Sequence, residues 1–291
     1  MAEVLPAPTL TAPGPALAPR SRLRLAGRYA ALILAAAVVL VPIYCALVVS
    51  LQPASKLLDF PGILLPTSPT FSTFSTAFRA GSLGRYLLNS AGVSLAITAA
   101  QVVTSILAAY AFAYLRFPAK RLVFAVFLAT LMVPTEVTIV ANYETVADLG
   151  WLDSYQGLVV PFLAFAFGTF LVRQAFLGVP QDLRDAAALD GYGHVGFLWH
   201  VAVPLARPAI AALAVFSFLS AWNQYLWPLL ITNQDRYRTV QIGLRQLASA
   251  NVDELNLVMA GTVIAALPIF VVLVVFQRHL IRGLTSGALK G

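Results

Sequence analysis

Six stretches of this sequence, at about 28–51, 85–114, 121–142, 155–177, 204–232 and 259–281, are each apolar for roughly the 20 residues that a helix needs to cross a bilayer. Lipid offers no hydrogen bonds to an exposed backbone, and a helix satisfies its own. The stretches therefore predict an all-α, polytopic membrane protein with six transmembrane helices. The second and fifth are long enough to tilt or to project beyond the bilayer. Prolines within or beside the spans (Pro42, Pro134, Pro161, Pro228, Pro268) are tolerable where neighbouring helices resatisfy the backbone. Composition agrees: 11% of residues are charged and mean hydropathy is +0.82, whereas a soluble domain carries about 25% charged residues.

The basic residues give the expected orientation. Arg20, Arg22, Arg24 and Arg28 precede the first span, Arg116, Lys120 and Arg121 follow the second, and Arg278, Arg282 and Lys290 close the chain. The loop at 143–154 carries Glu144, Asp148 and Asp153 and no basic residue. By the positive-inside rule both termini are expected in the cytoplasm. Residues 1–27 are expected to form a disordered cytoplasmic tail, with Pro6, Pro8, Pro13, Pro15 and Pro19 early in it, ahead of a membrane domain over 28–291. The basic residues come too late, and the apolar stretch after them is too long, for a secretory signal.

The net charge of +7 invites a nucleic-acid reading, but the basic residues sit at span ends rather than along one soluble face. Catalytic sets are missing too. Cys45 is the only cysteine, so neither an internal disulfide nor a thiolate metal site can form. His194, His200 and His279 lack zinc-ligand spacing, and no metal site is expected. Neither a phosphate loop nor a nucleophile elbow occurs. No catalytic residues are expected, and any ATP would be bound by another subunit.

One cytoplasmic stretch, Pro180 to Pro208, is too structured to be filler. Pro180 can start a helix, and Asp182 and Asp185 suit its positive end. Ala186, Ala187 and Ala188 give a small-residue surface that another protein can approach closely. Gly191 and Gly193 should stop the helix, since glycine takes the left-handed conformation cheaply. A second helix from His194 to Val203 would then lead to Pro204. From the residues alone, a docking element and a plain surface connector both remain open.

Here the sequence resembles a known family. Pro180, Leu183, Asp185, Ala186, Ala187, Asp190, Gly191, Phe197, Pro204 and Pro208 fall on the EAA loop of ABC importer permeases, a pattern of E-A-A-x-x-D-G with two later prolines. The resemblance implies a type I importer permease fold in which a cytoplasmic coupling helix, here carrying Asp185, Ala186, Ala187, Asp190 and Gly191, docks into the ATPase and transmits its closure. It also implies a homologous second permease, a cytoplasmic ATPase dimer and an extracytoplasmic solute-binding protein as partners, in the cytoplasmic (inner) membrane. Asp185 replaces the usual Glu, and Tyr192 replaces the usual small residue after Asp-Gly. LLNS at 87–90, LMVPTEV at 131–137, FLVRQAF at 170–176, WNQYLWPLLI at 222–231 and GLTSGALKG at 283–291 are similar to the carbohydrate-importer branch, and more closely to its glycerol-3-phosphate-type permeases. A di- or oligosaccharide is the alternative solute. An ion-driven secondary transporter would show repeated halves and several intramembrane carboxylates, and neither is evident.

Polar groups inside spans are costly and ask for a reason. Glu136 is the one acidic residue in an expected span, about 15 residues into the third helix and so roughly 22 Å from its inner end. It suits either a central cavity or the outer interface. Asn223 and Gln224, with Trp222, Tyr225 and Trp227, are candidates to line a pathway for a polyhydroxylated solute: amides exchange hydrogen bonds with hydroxyls, and rings pack on C–H faces. Interhelical bonding within an aromatic belt is the other reading. Asn89, Gln101 and Thr104 are expected to join helices. No span interior carries Lys or Arg, so a phosphate would draw its counter-charge from a partner, Arg85 or helix ends.

Overall fold

The structure, a computed structural model, describes residues 19–57, 64–80, 82–250 and 253–285. Among these residues the regular structure is helical, with no strand. Residues 1–18 of the expected tail, and 286–291 of the last family-like segment, lie outside the described residues. Helix α1 (Pro19–Ser50) starts ahead of the expected boundary at 28. The proline run ends at Pro19, which suits a first helical position, and the Arg and Leu residues that follow favour helix. Residues 19–27 are therefore helix rather than tail.

α1 leaves Leu32, Ile33, Val38 and Val39 about two-thirds exposed. Consecutive residues point to different sides of a helix, so the helix is apolar all round and needs lipid as its solvent. After α2 (Ser72–Arg79), α3 (Leu83–Tyr114) runs through the centre. Its buried residues Leu83, Tyr86, Ser90, Val93, Ile97, Gln101, Ser105 and Ala109 recur at three- and four-residue steps, one helical stripe.

The third apolar stretch is two helices: α4 (Lys120–Ala129, extended by a 3-10 turn to Met132) and α5 (Thr135–Asp148), which meet at 100°. Pro134 explains the break, because it lacks an N–H and pushes Val133 into extended backbone (ψ 116°). The fourth stretch is likewise divided. α6 (Tyr155–Val159) continues as a 3-10 turn to Phe162, and α7 (Ala166–Leu177) follows at 45°.

Beyond α8 (Gln181–Leu189), α9 (His194–Phe197) passes through a π-helical turn (Leu198–Ala202) into α10 (Val203–Leu205). A 78° bend at Ala206 then opens α11 (Arg207–Trp222). α12 (Leu226–Ile231) follows a second interruption at 223–225, so the expected 204–232 span is not one helix. α13 (Val240–Ala250) and α14 (Leu255–Thr285) complete the fold. By length and composition three of the described helices can cross a membrane, or six if each of the three bent pairs is one span, and the third pair covers 194–222 rather than the expected 204–232.

α3 packs against α7, α11 and α13, while α14 packs against α1, α2 and α11. Gly168 permits the approach of α7 to both α3 and α11. A methyl group there would lie 2.5 Å from Ser105 Oγ and 2.8 Å from Leu213 Cδ1. Small residues substitute for the hydrophobic effect in lipid by letting helices approach.

Candidate functional site

The helix breaks converge. A cleft of about 520 Å³ is lined by Gln101 of α3, Glu136 and Asn142 of α5, Phe162 at the α6–α7 break, and Gln224 and Tyr225 at the α11–α12 break. The broken backbone is repaired locally. Gln101 Nε2 donates to Phe162 O (2.9 Å) and Thr104 Oγ1 donates to Leu163 O (2.8 Å). These residues join helices, as the sequence suggests, and Gln101 also faces the cleft. Glu136 occupies the first turn of α5, where a carboxylate meets the positive helix end. The depth expected for it assumed a continuous helix. The bend at Pro134 corrects that, and brings the residue to the cleft by turning the chain rather than by burying it.

Gln224 and Tyr225 join Glu136, but Trp222 and Asn223 do not line the cleft. Trp222 is 1% exposed and stacks on Phe218 in a core with Leu83, Val240 and Ala265. Asn223 is exposed at the end of α11, where its Nδ2 donates to Leu219 O at 2.8 Å. Neighbours in sequence part because α11 stops at Trp222 and the chain turns. Trp227 lines the cleft from a buried position, donating from Nε1 to Gly157 O (3.0 Å). Asn142 and Ser220 were not anticipated. Glu136, Ile139 and Asn142 recur every three residues, a helical stripe that the sequence displays once α5 is seen to begin at Thr135.

Below the cleft, a cavity of about 770 Å³ lies between α7 and α11. Phe216 borders both spaces. Phe165 stacks on Phe216 with ring centres 5.9 Å apart, and Phe167 approaches it at 5.4 Å. The lower cavity reaches Pro180 and also Leu205, Ala206 and Pro208, which are the two ends of the α8–α10 stretch.

α8 ends as the sequence requires. Gly191 has φ +85°, the amide of Gly191 donates to Ala188 O (3.1 Å), and that of Tyr192 donates to Ala187 O (2.9 Å). This is the Schellman pattern. Ala187 is buried, whereas Asp185, Ala186, Leu189, Asp190 and Gly191 are exposed. The seat beneath is aromatic. Arg184 lies 5.5 Å over the Tyr114 ring, Tyr114 OH donates to Phe176 O (2.6 Å), and Tyr110 OH is 2.9 Å from His194 Nδ1. Tyr192, the departure from the family pattern, has its room provided by Gly196, where a methyl group would fall 2.7 Å from the ring. Its ring also packs 5.3 Å from His200. Among the described residues no group of His, Cys, Asp and Glu could hold a metal ion.

The profile of the family described as "Binding-protein-dependent transport system inner membrane component" matches residues 101–286. The chain belongs to this family. The permease is 39% identical over 263 residues to the sn-glycerol-3-phosphate transport system permease protein UgpE of Yersinia pestis bv. Antiqua (strain Antiqua), covering 88% of this chain and 94% of that one. It is 38% identical over 265 residues to the protein of the same name from Brucella abortus (strain 2308), with the same coverage. Its fold matches a chain of a bacterial ABC transporter involved in the import of the acidic polysaccharide alginate, with a TM-score of 0.80 at 22% identity over 91% of this chain and 99% of that one. A second match is to the bacterial alginate ABC transporter in complex with an alginate pentasaccharide-bound periplasmic protein, with a TM-score of 0.64 at 15% identity over 91% and 97% of the two chains. The permease fold is thus that of a type I ABC importer subunit, and the permease is an inner-membrane component of a transport system.

Proposed function

We propose that this permease subunit moves sn-glycerol 3-phosphate into the cytoplasm as part of an ATP-driven importer. Its partners are a homologous second permease, two ATPase subunits that bind and hydrolyse the ATP, and an external solute-binding protein. Both termini and α8 face the cytoplasm. The observation that carries the mechanism is the position of α8. The ends of its loop border the lower cavity, and Phe216 borders both that cavity and the cleft. ATPase closure on Asp185, Ala186, Asp190 and Gly191 shifts Pro180 and Ala206 together, moving α7 and α11 and with them the Phe165–Phe216 stack. The cleft and the lower cavity then open in alternation.

The likeness to UgpE permeases over most of the chain supports the solute. The cleft divides the recognition. Glu136 accepts hydrogen bonds from the glycerol hydroxyls, and the amides of Gln224 and Asn142 exchange bonds with them. Among the described residues no Lys or Arg lines the cleft, and Arg85 at the start of α3 is not among its lining residues. The phosphate is then neutralised by the second permease or by helix ends. The same lack of a cation favours, as a second reading, a neutral di- or oligosaccharide. Uptake of labelled glycerol 3-phosphate by the complete transporter separates the two. Saturable, ATP-dependent uptake that excess maltose leaves unchanged is expected, and uptake of maltose in its place overturns the solute assignment.

A further inference from the structure

A pocket of about 370 Å³ at the α8 end of the bundle is lined by Phe112, Lys120, Arg121, Phe124 and Arg173. It is separate from the cleft and from the lower cavity. Three cations and two rings meet where α3 ends, α4 begins and α7 approaches its last turn. Two of the cations are fixed by the backbone. Lys120 Nζ donates to Leu115 O (2.9 Å) and Ala113 O (3.2 Å), closing the C-terminal end of α3. Arg173 Nε donates to Phe112 O (3.2 Å), and its guanidinium lies 4.3 Å over the Phe124 ring. Arg121 is exposed. No described carboxylate pairs with any of the three. Like charges gathered without a counter-ion repel one another, so the pocket is electrostatically unfinished.

The surroundings say what completes it. α4 leads away from the pocket with no buried residue, and Leu122, Val123 and Val126 on it are exposed. A ligand that fits both parts has an anionic head for the cations and a long apolar tail for α4. Free phosphate satisfies only the first. We propose that this pocket binds the headgroup of an anionic phospholipid, with an acyl chain lying along α4. Basic pockets between spans take such headgroups, each nearby cation contributing about 1 kcal/mol, or about fivefold in affinity.

The test is native mass spectrometry of the full-length chain within its complete transporter, released from nanodiscs of equal phosphatidylglycerol and phosphatidylcholine. Preferential retention of phosphatidylglycerol is expected. Arg121→Gln, which removes an exposed side chain with no internal bond, should lower that retention about fivefold, while Arg116→Gln on the adjoining loop should leave it unchanged. Equal retention of the two lipids, or equal loss in the two variants, overturns the proposal. Displacement of phosphatidylglycerol by millimolar inorganic phosphate overturns it as well, and would mark a site for soluble phosphate.

Discussion

Gly191 shows how one residue's backbone carries the account. At φ +85° with nothing within 4 Å of a methyl group built there, a side chain meets open space but an unfavourable conformation, costing roughly 1 to 2 kcal/mol. Gly191→Leu should therefore insert and accumulate normally, yet loosen the stop of α8. Uptake should fall while ATP hydrolysis by the complete transporter persists, read by parallel uptake and phosphate-release assays. Normal coupled uptake contradicts the role given to this turn. Tyr192 makes a second case. Gly196→Ala drives a methyl group into the Tyr192 ring and should lower the thermal stability of the purified transporter. In Tyr192→Ala the same change should cost little, so the double-mutant cycle should show a coupling of about 1 kcal/mol or more. The turn was legible from Asp190-Gly191, but the accommodation of Tyr192 was not. It depends on a glycine one helical turn further on, in a segment whose helical register had yet to be fixed.

At the scale of elements, hydropathy located every apolar stretch and missed three bends. Window averages count apolar residues and are indifferent to direction, so a stretch broken at Pro134 or Ala206 reads like a straight one. Proline alone does not decide it: α1 and α14 continue through Pro42 and Pro268, whereas Pro134 breaks its stretch. Where a stretch does break, polar side chains can repair it: at the α6–α7 break Gln101 and Thr104 satisfy the carbonyls of Phe162 and Leu163. Gln101→Leu keeps the volume and removes that donor, leaving a backbone acceptor unpaired at a cost of about 1–3 kcal/mol. A lower melting temperature in detergent, with expression retained, is expected; unchanged melting would mean that the break is held by packing alone. The candidate site suffered from the same blindness. Glu136, Gln224 and Tyr225 meet because two breaks turn the chain toward one cleft, and Trp222 and Asn223 are lost from it because α11 ends between core and surface.

At the scale of the whole molecule, the permease holds two spaces that Phe216 borders in common, with the α8–α10 loop bordering the lower one. Everything mechanical in that picture requires α8 to be held by an ATP-hydrolysing partner. Its exposure makes a sharp demand: Ala187 faces the permease's own core, while Ala186 faces outward. The direct measurement is cysteine crosslinking in native membranes, in a Cys45→Ser background that leaves no other thiol in the chain. A cysteine at 186 should give an adduct with the ATPase subunit whose yield changes with bound nucleotide, and one at 187 should give none. If neither position reaches an ATP-hydrolysing subunit, α8 is not the lever and the coupling mechanism is wrong.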